Sequence, residues 1–130
     1  MWERRAQIKD RLLNEHRKIE SLLLPYMELV LGEYEKELER YSGDIGEFIA
    51  NVEEHWYPHV EFEEKEVLPA IFGHPIVNEL LAEHKKIKEL IEKAKRVKSM
   101  EEKVAVLREL VLAIKNHIKK ENDVIPGLLY

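Results

Sequence analysis

Four separate segments of this chain place apolar residues at alternating spacings of three and four, and each stripe carries a histidine. In the first, Ile8, Leu12, Ile19 and Leu23 leave a gap that His16 fills. The second reads Ile45, Phe48, Val52, His55, His59 and Phe62; the third reads Ile76, Leu80, His84, Ile87, Ile91 and Ala94. The fourth runs Leu107, Leu110, Ile114, His117 and Glu121. Such spacing puts every member on one face of an α-helix, so the pattern predicts four amphipathic helices whose histidines turn inward. An imidazole or carboxylate in an apolar stripe is costly to bury without a strong partner. Whatever this chain folds into must supply partners for these groups.

Proline and glycine punctuate the four segments. Pro25 and Gly32 should kink or end the first helix. The very polar stretch 33–41 reads as an exposed continuation or a short extra helix. Ser42 to Asp44 form a turn with N-cap chemistry. Pro58 lies inside the second stripe without changing its phase, so a kink or bulge is expected there. Phe72 to Pro75 make the next turn, with Pro75 at the first position of the third helix and His74 as a turn or cap residue. Ser99 with Glu102 is a capping box, and Pro126 with Gly127 should end the fourth helix. Four helices with short connections imply an all-α, up-down-up-down four-helix bundle. A length of 130 residues suits a single domain, 1–130.

Several function classes are set aside by composition. The net charge is -5 and the basic residues are interleaved with glutamates, so no nucleic-acid partner is expected. With no cysteine, the chain has no disulfide, iron–sulfur or thiolate-zinc chemistry. No apolar run is of signal-peptide or membrane-spanning length, so no membrane partner and a cytoplasmic location are expected.

Depth along the bundle tests whether the histidines can meet. His59 lies 14 residues before Gly73 and His84 lies 11 after it; His84 lies 15 before Ser99 and His117 lies 18 after it. At about 1.5 Å of rise per residue these three come level within about a turn. His16 lies 26 residues before Ser42 while His59 lies 17 after it. A straight first helix would overshoot by about 13 Å, so a break near Pro25 or Gly32 is required.

His59 with Glu63, and His117 with Glu121, are four residues apart and share a helix face. Two facing helices built this way offer two carboxylates that can bridge two metal ions, with histidines as terminal nitrogen ligands. Carboxylate and imidazole suit iron or manganese, and also zinc. Glu15-His16, HVEFEEKEVLP over 59–69, Glu83-His84 and HIKKENDVIP over 117–126 resemble the hemerythrin-like, or HHE cation-binding, domains. The likeness covers nearly the whole chain. It implies two non-haem irons bridged by Glu63 and Glu121, with His16 and His59 on one and His84 and His117 on the other. Oxygen-carrying hemerythrins have a further histidine one turn before the third-helix ligand, and here that position is Leu80. Candidate substitutes are His55, Glu64 or a water-derived ligand.

The function expected from this reading is binding or sensing of a small ligand, such as oxygen or nitric oxide, or of iron itself. The alternatives are a di-iron redox enzyme acting on peroxide or nitric oxide, or an iron donor for cluster repair. A further alternative is a structural bundle holding adventitious zinc. A sensor of this size would need a protein partner or a homodimer to pass on its signal.

Overall fold

Each stripe folds as its spacing requires. The computed structural model describes residues 2–31 and 42–129, with side chains over 3–24 and 45–129. Helix α1 spans Trp2–Leu31, α2 Ser42–Phe62, α3 Ile76–Arg96 and α4 Met100–Leu128. Helix α2 is prolonged by a π-helical stretch, Glu63–Val67, and a last α-helical turn, Leu68–Ala70. Among the described residues there is no strand.

The side chains show how the helices run. Ile8 and Leu12 from the start of α1 cluster with Phe62 and Val67 after the middle of α2, with Ile76 and Leu80 at the start of α3, and with Ile125 near the end of α4. Ile19 and Leu23, further along α1, cluster with Ile45, Phe48 and Val52 of early α2, Ile87 and Ile91 of later α3, and Leu107 and Leu110 of early α4. Successive helices are therefore antiparallel, and α4 packs back against α1 to close the bundle. Between the two apolar clusters lies a buried layer of His16, His59, Glu63, His84, His117 and Glu121. The bundle is thus an apolar core divided by one polar layer.

Connections follow their turn chemistry. Gly73 has φ of 91°, a left-handed conformation that glycine adopts without strain, between α2 and α3. His74 acts as a turn residue, its Nδ1 accepting from the Ile76 backbone N–H at 3.1 Å. The Ser99 side chain accepts from the Glu102 backbone N–H at 3.1 Å, which caps α4.

The prolines interrupt less than expected. Helix α1 continues through Pro25 to Leu31, just before Gly32. His16 lies 15 residues before Leu31 and His59 lies 17 after Ser42, so the two come level without a break at Pro25. The stretch 33–41 lies outside the described residues. Ser42 to Asp44 form the first turn of α2. That helix stays α-helical through Pro58. Both Pro58 and Glu54, whose carbonyl loses its donor, are exposed, and water can satisfy that carbonyl. The irregular stretch comes later, as the π-helical turn at Glu63. Pro126 likewise falls inside α4, which runs on to Leu128. In the last turn a proline deletes one hydrogen bond, and Leu129 N–H still donates to the Ile125 carbonyl at 3.1 Å.

Candidate metal centre

Each helix brings one histidine to the polar layer, and the second and fourth also bring a glutamate one turn on. All six side chains are buried, His16, Glu63 and Glu121 completely. Two groups form. His16, His59, Glu63 and Glu121 have ligand atoms within 4.8 Å of one another, and so do Glu63, His84, His117 and Glu121. Both carboxylates belong to both groups.

The two oxygens of Glu63 divide between them. Oε1 touches His59 Nε2 and lies 3.6 Å from His16 Nε2. Oε2 lies 2.6 Å from His84 Nε2 and 3.5 Å from His117 Nε2. Glu121 Oε1 lies 3.1 Å from His16 Nε2 and 2.9 Å from His117 Nε2. Every histidine thus presents Nε2 to the centre.

Outward-facing nitrogens of three of them are held by the neighbouring helix. His16 Nδ1 donates to Asn122 Oδ1 at 2.6 Å, His59 Nδ1 to Glu15 Oε1 at 2.9 Å, and His117 Nδ1 to Glu83 Oε1 at 2.7 Å. A proton fixed on Nδ1 leaves the Nε2 lone pair free to bind a cation. Arg11 Nε in turn holds Glu15 at 2.7 Å, and Lys120 holds Glu83. Burial alone would raise the carboxyls of Glu15 and Glu83. The hydrogen bonds of His59 and Arg11 to the first, and of Lys120 and His117 to the second, outweigh it and lower both.

Trp56 walls the centre, its ring centroid 5.6 Å from that of His59 and 5.4 Å from that of His117. It explains the fate of His55. The second stripe can turn either residue inward, and burying the larger indole releases more apolar surface. His55 is exposed, its Nδ1 donating to the Asn51 carbonyl at 2.9 Å, and it joins neither group. His55, one of the candidate substitutes for the missing ligand, is therefore not brought to the layer. Tyr57 also points away, donating to Glu92 Oε1 at 3.1 Å. Leu80 is fully buried in the apolar cluster beside the layer.

Protein groups alone leave this layer incompletely satisfied. His59 Nε2, Glu63 Oε1, His117 Nε2 and Glu121 Oε2 are buried and make no hydrogen bond, although His59 Nε2 touches Glu63 and His117 Nε2 approaches both carboxylates. Buried polar atoms without partners are rare. Lone pairs that converge without sharing a proton are the arrangement a cation completes. In the protein without metal the charges adjust instead. Burial disfavours charge on His16, but the Glu121 and Glu63 carboxylates outweigh it and push the imidazole up to about 9. The same opposition raises His117 to about 10, through Glu121 and Glu63. His59 is raised against burial by Glu15 and Glu63. Burial would raise Glu63, and the surrounding histidines hold it well below the usual carboxylate range.

Fold and site together define a helical bundle with a buried histidine–carboxylate centre able to hold metal. The sequence model of the hemerythrin HHE cation-binding domain matches residues 7–129, and the chain belongs to that family. No curated protein and no solved structure matches it.

The partners of the outer nitrogens, Glu15, Glu83 and Asn122, had no assigned role in the sequence. A faint signal existed, since Glu15 and Glu83 each directly precede a ligand histidine. Each, however, holds the histidine of the next helix, which no spacing within one helix reveals.

Proposed function

We propose that the chain is a dinuclear non-haem iron protein that binds or senses a small ligand such as oxygen or nitric oxide, or handles iron itself. The carrying observation is the division of Glu63, one oxygen toward His16 and His59 and the other toward His84 and His117. A carboxylate held this way would bridge two ions; one ion would leave half of its contacts unused. Glu63 and Glu121 place two negative charges among the four histidines, which would offset half the charge of two divalent cations; Glu15 and Glu83, hydrogen-bonded to ligand histidines, are already paired with Arg11 and Lys120. In this reading His16 and His59 hold one iron and His84 and His117 the other. The bound pair supplies the redox and ligand-binding chemistry. The chain's own part is to fix the imidazole tautomers, exclude water and balance charge.

A second reading, a redox catalyst or iron donor, is favoured by Leu80. Each ion would have only two histidine nitrogens from the chain, a set that would favour reaction with oxygen over reversible carriage.

Metal analysis of protein from an iron-supplied host, with an optical spectrum, tests the proposal. About two irons per chain and the bands of an oxo-bridged pair are expected. One metal per chain or fewer would overturn it. Repeated oxygen exposure then separates the readings: reversible spectral cycling supports binding, and irreversible oxidation supports catalysis or iron handling.

A further inference from the structure

The two halves of the chain repeat one another. IKDRLLNEHRKIESLL over 8–23 matches IVNELLAEHKKIKELI over 76–91, pairing Ile8 with Ile76, Leu12 with Leu80, Glu15 with Glu83 and His16 with His84. HVEFEEKEVLP over 59–69 matches HIKKENDVIP over 117–126, pairing Glu63 with Glu121, Glu64 with Asn122 and Pro69 with Pro126. Contacts repeat as well. Glu15 holds His59 across α1 and α2 as Glu83 holds His117 across α3 and α4.

One residue breaks the equivalence. The first copy has an extra position, Lys65, between its glutamate pair and the acidic residue that follows. That position is the middle of the π-helical stretch Glu63–Val67. A π turn is how a helix absorbs a one-residue insertion, and such turns recur at functional sites. Here it affects one outer contact. Asn122 reaches His16 Nδ1 at 2.6 Å, while its counterpart Glu64 is exposed and stops 3.7 Å from His84 Nδ1. His84 Nδ1 is left buried with no hydrogen bond. A cavity of about 310 Å³ opens between α2 and α3 on this side, lined by Trp56, Val60, Glu64, Leu81 and His84 among others.

We propose that the two metal positions differ in exchange. The His84–His117 position loses and regains its ion through the α2–α3 cavity, while the His16–His59 position keeps its own. The proposal rests on the dinuclear reading. Its chemistry is that of outer contacts, each worth about 10–100-fold in metal affinity through ligand orientation and basicity. Three histidines have such a contact and His84 does not. Because Leu12 matches Leu80, the positions do not differ in number of nitrogen ligands; they differ in the π turn, in Glu64 standing where the other half has Asn122, and in the cavity beside His84.

The test uses the full chain loaded anaerobically with ferrous iron and mixed with excess ferrous chelator. Two release phases of equal amplitude, at least about tenfold apart, are expected. Asn122→Ala should bring the slow phase toward the fast one. In the unmodified protein loaded with cobalt(II), three hyperfine-shifted Nδ1–H signals should exchange slowly with deuterium, and that of His84 at least about tenfold faster. Two ions leaving in one phase, or four Nδ1–H signals exchanging alike, would overturn the inference and leave the dinuclear reading standing. A loaded stoichiometry of one would overturn both.

Discussion

The two apolar clusters on either side of the histidine–glutamate layer are built differently. Among the described residues the larger, from Ile19 and Leu23 to Leu110 and Ile114, gathers eighteen buried side chains from regular stretches of all four helices. The smaller gathers ten, and three of them, Val67, Leu68 and Ile71, come from the irregular end of the second helix and the turn after it. The larger cluster is continuous and apolar along the stretches of the four helices that it joins. The smaller is cut off from it by six buried polar side chains, so its helices are tied to the rest across that layer. Metal binding should therefore matter more to one end of the bundle than to the other.

Removing a bridging carboxylate should have the largest effect. In the proposed dinuclear reading Glu63→Ala or Glu121→Ala would strip a ligand from both ions, and each removes one of the two carboxylates that the buried imidazoles face. Metal content should fall below one ion per chain, with a loss of about 3–5 kcal/mol in stability. Leu110→Ala, in the larger cluster, should cost about 2–5 kcal/mol through the cavity it opens and leave metal content unchanged. Elemental analysis beside urea denaturation distinguishes the two. Full metal content in both glutamate variants would end the bridging assignment, and metal loss in Leu110→Ala would end the separation of core from centre.

Alkaline pH should separate the two ends more gently, and only without metal. His16 and His117 are raised from 6.5 to about 9 and about 10, so each stabilises the fold most below 6.5 and stops doing so as pH rises through its folded value. Glu63 is lowered, so its contribution is present above 4.5 and is lost as pH falls below that. The metal-free protein should then be most stable near pH 5–6 and lose on the order of 2 kcal/mol or more by pH 9–10. A bound ion would take the place of the protons on Nε2, so the alkaline loss should disappear in metal-loaded protein. Amide exchange of the metal-free protein at pH 9 should show protection lost at Leu12, Val67 and Ile125 before Leu110 and Ile114. Uniform loss, or equal stability at pH 6 and pH 9 without metal, would contradict the comparison.

These contrasts also mark what could be read from the sequence. The four helices and their inward histidines were legible because burial and helical period coincide at His16, His59, His84 and His117. The grouping of the second stripe was not, because His55 and Trp56 both fit a three-four rhythm and only packing chooses between them. A helix end at Pro25 or at Pro126 is not what the chain adopts. Pro25, Pro58 and Pro126 each delete one hydrogen bond, and the helices absorb that loss without ending. The π turn had a subtler signature, visible only when the two HxxxE segments are laid against one another and Lys65 has no counterpart. Outer contacts such as Glu15 to His59 join different helices and exist only once the bundle has closed.

The smallest effect is expected where the smaller cluster meets the layer. Leu80 is fully buried one turn before His84, at the position where oxygen-carrying hemerythrins place another histidine. In metal-free protein Leu80→His should cost about 1–3 kcal/mol, since an imidazole replaces an apolar side chain among apolar neighbours. In iron-loaded protein most of that cost should vanish, because under the proposed reading the added nitrogen would become a further ligand of the His84–His117 ion. Metal content should stay at about two while the optical bands shift and irreversible oxidation slows. Leu12→His is the matched variant in the first half, one turn before His16, and should act in the same way on the other ion. Equal destabilisation of Leu80→His with and without iron would mean that the new imidazole never reaches the metal. Position 80 would then belong to the smaller cluster alone, and the layer's boundary would lie at His84.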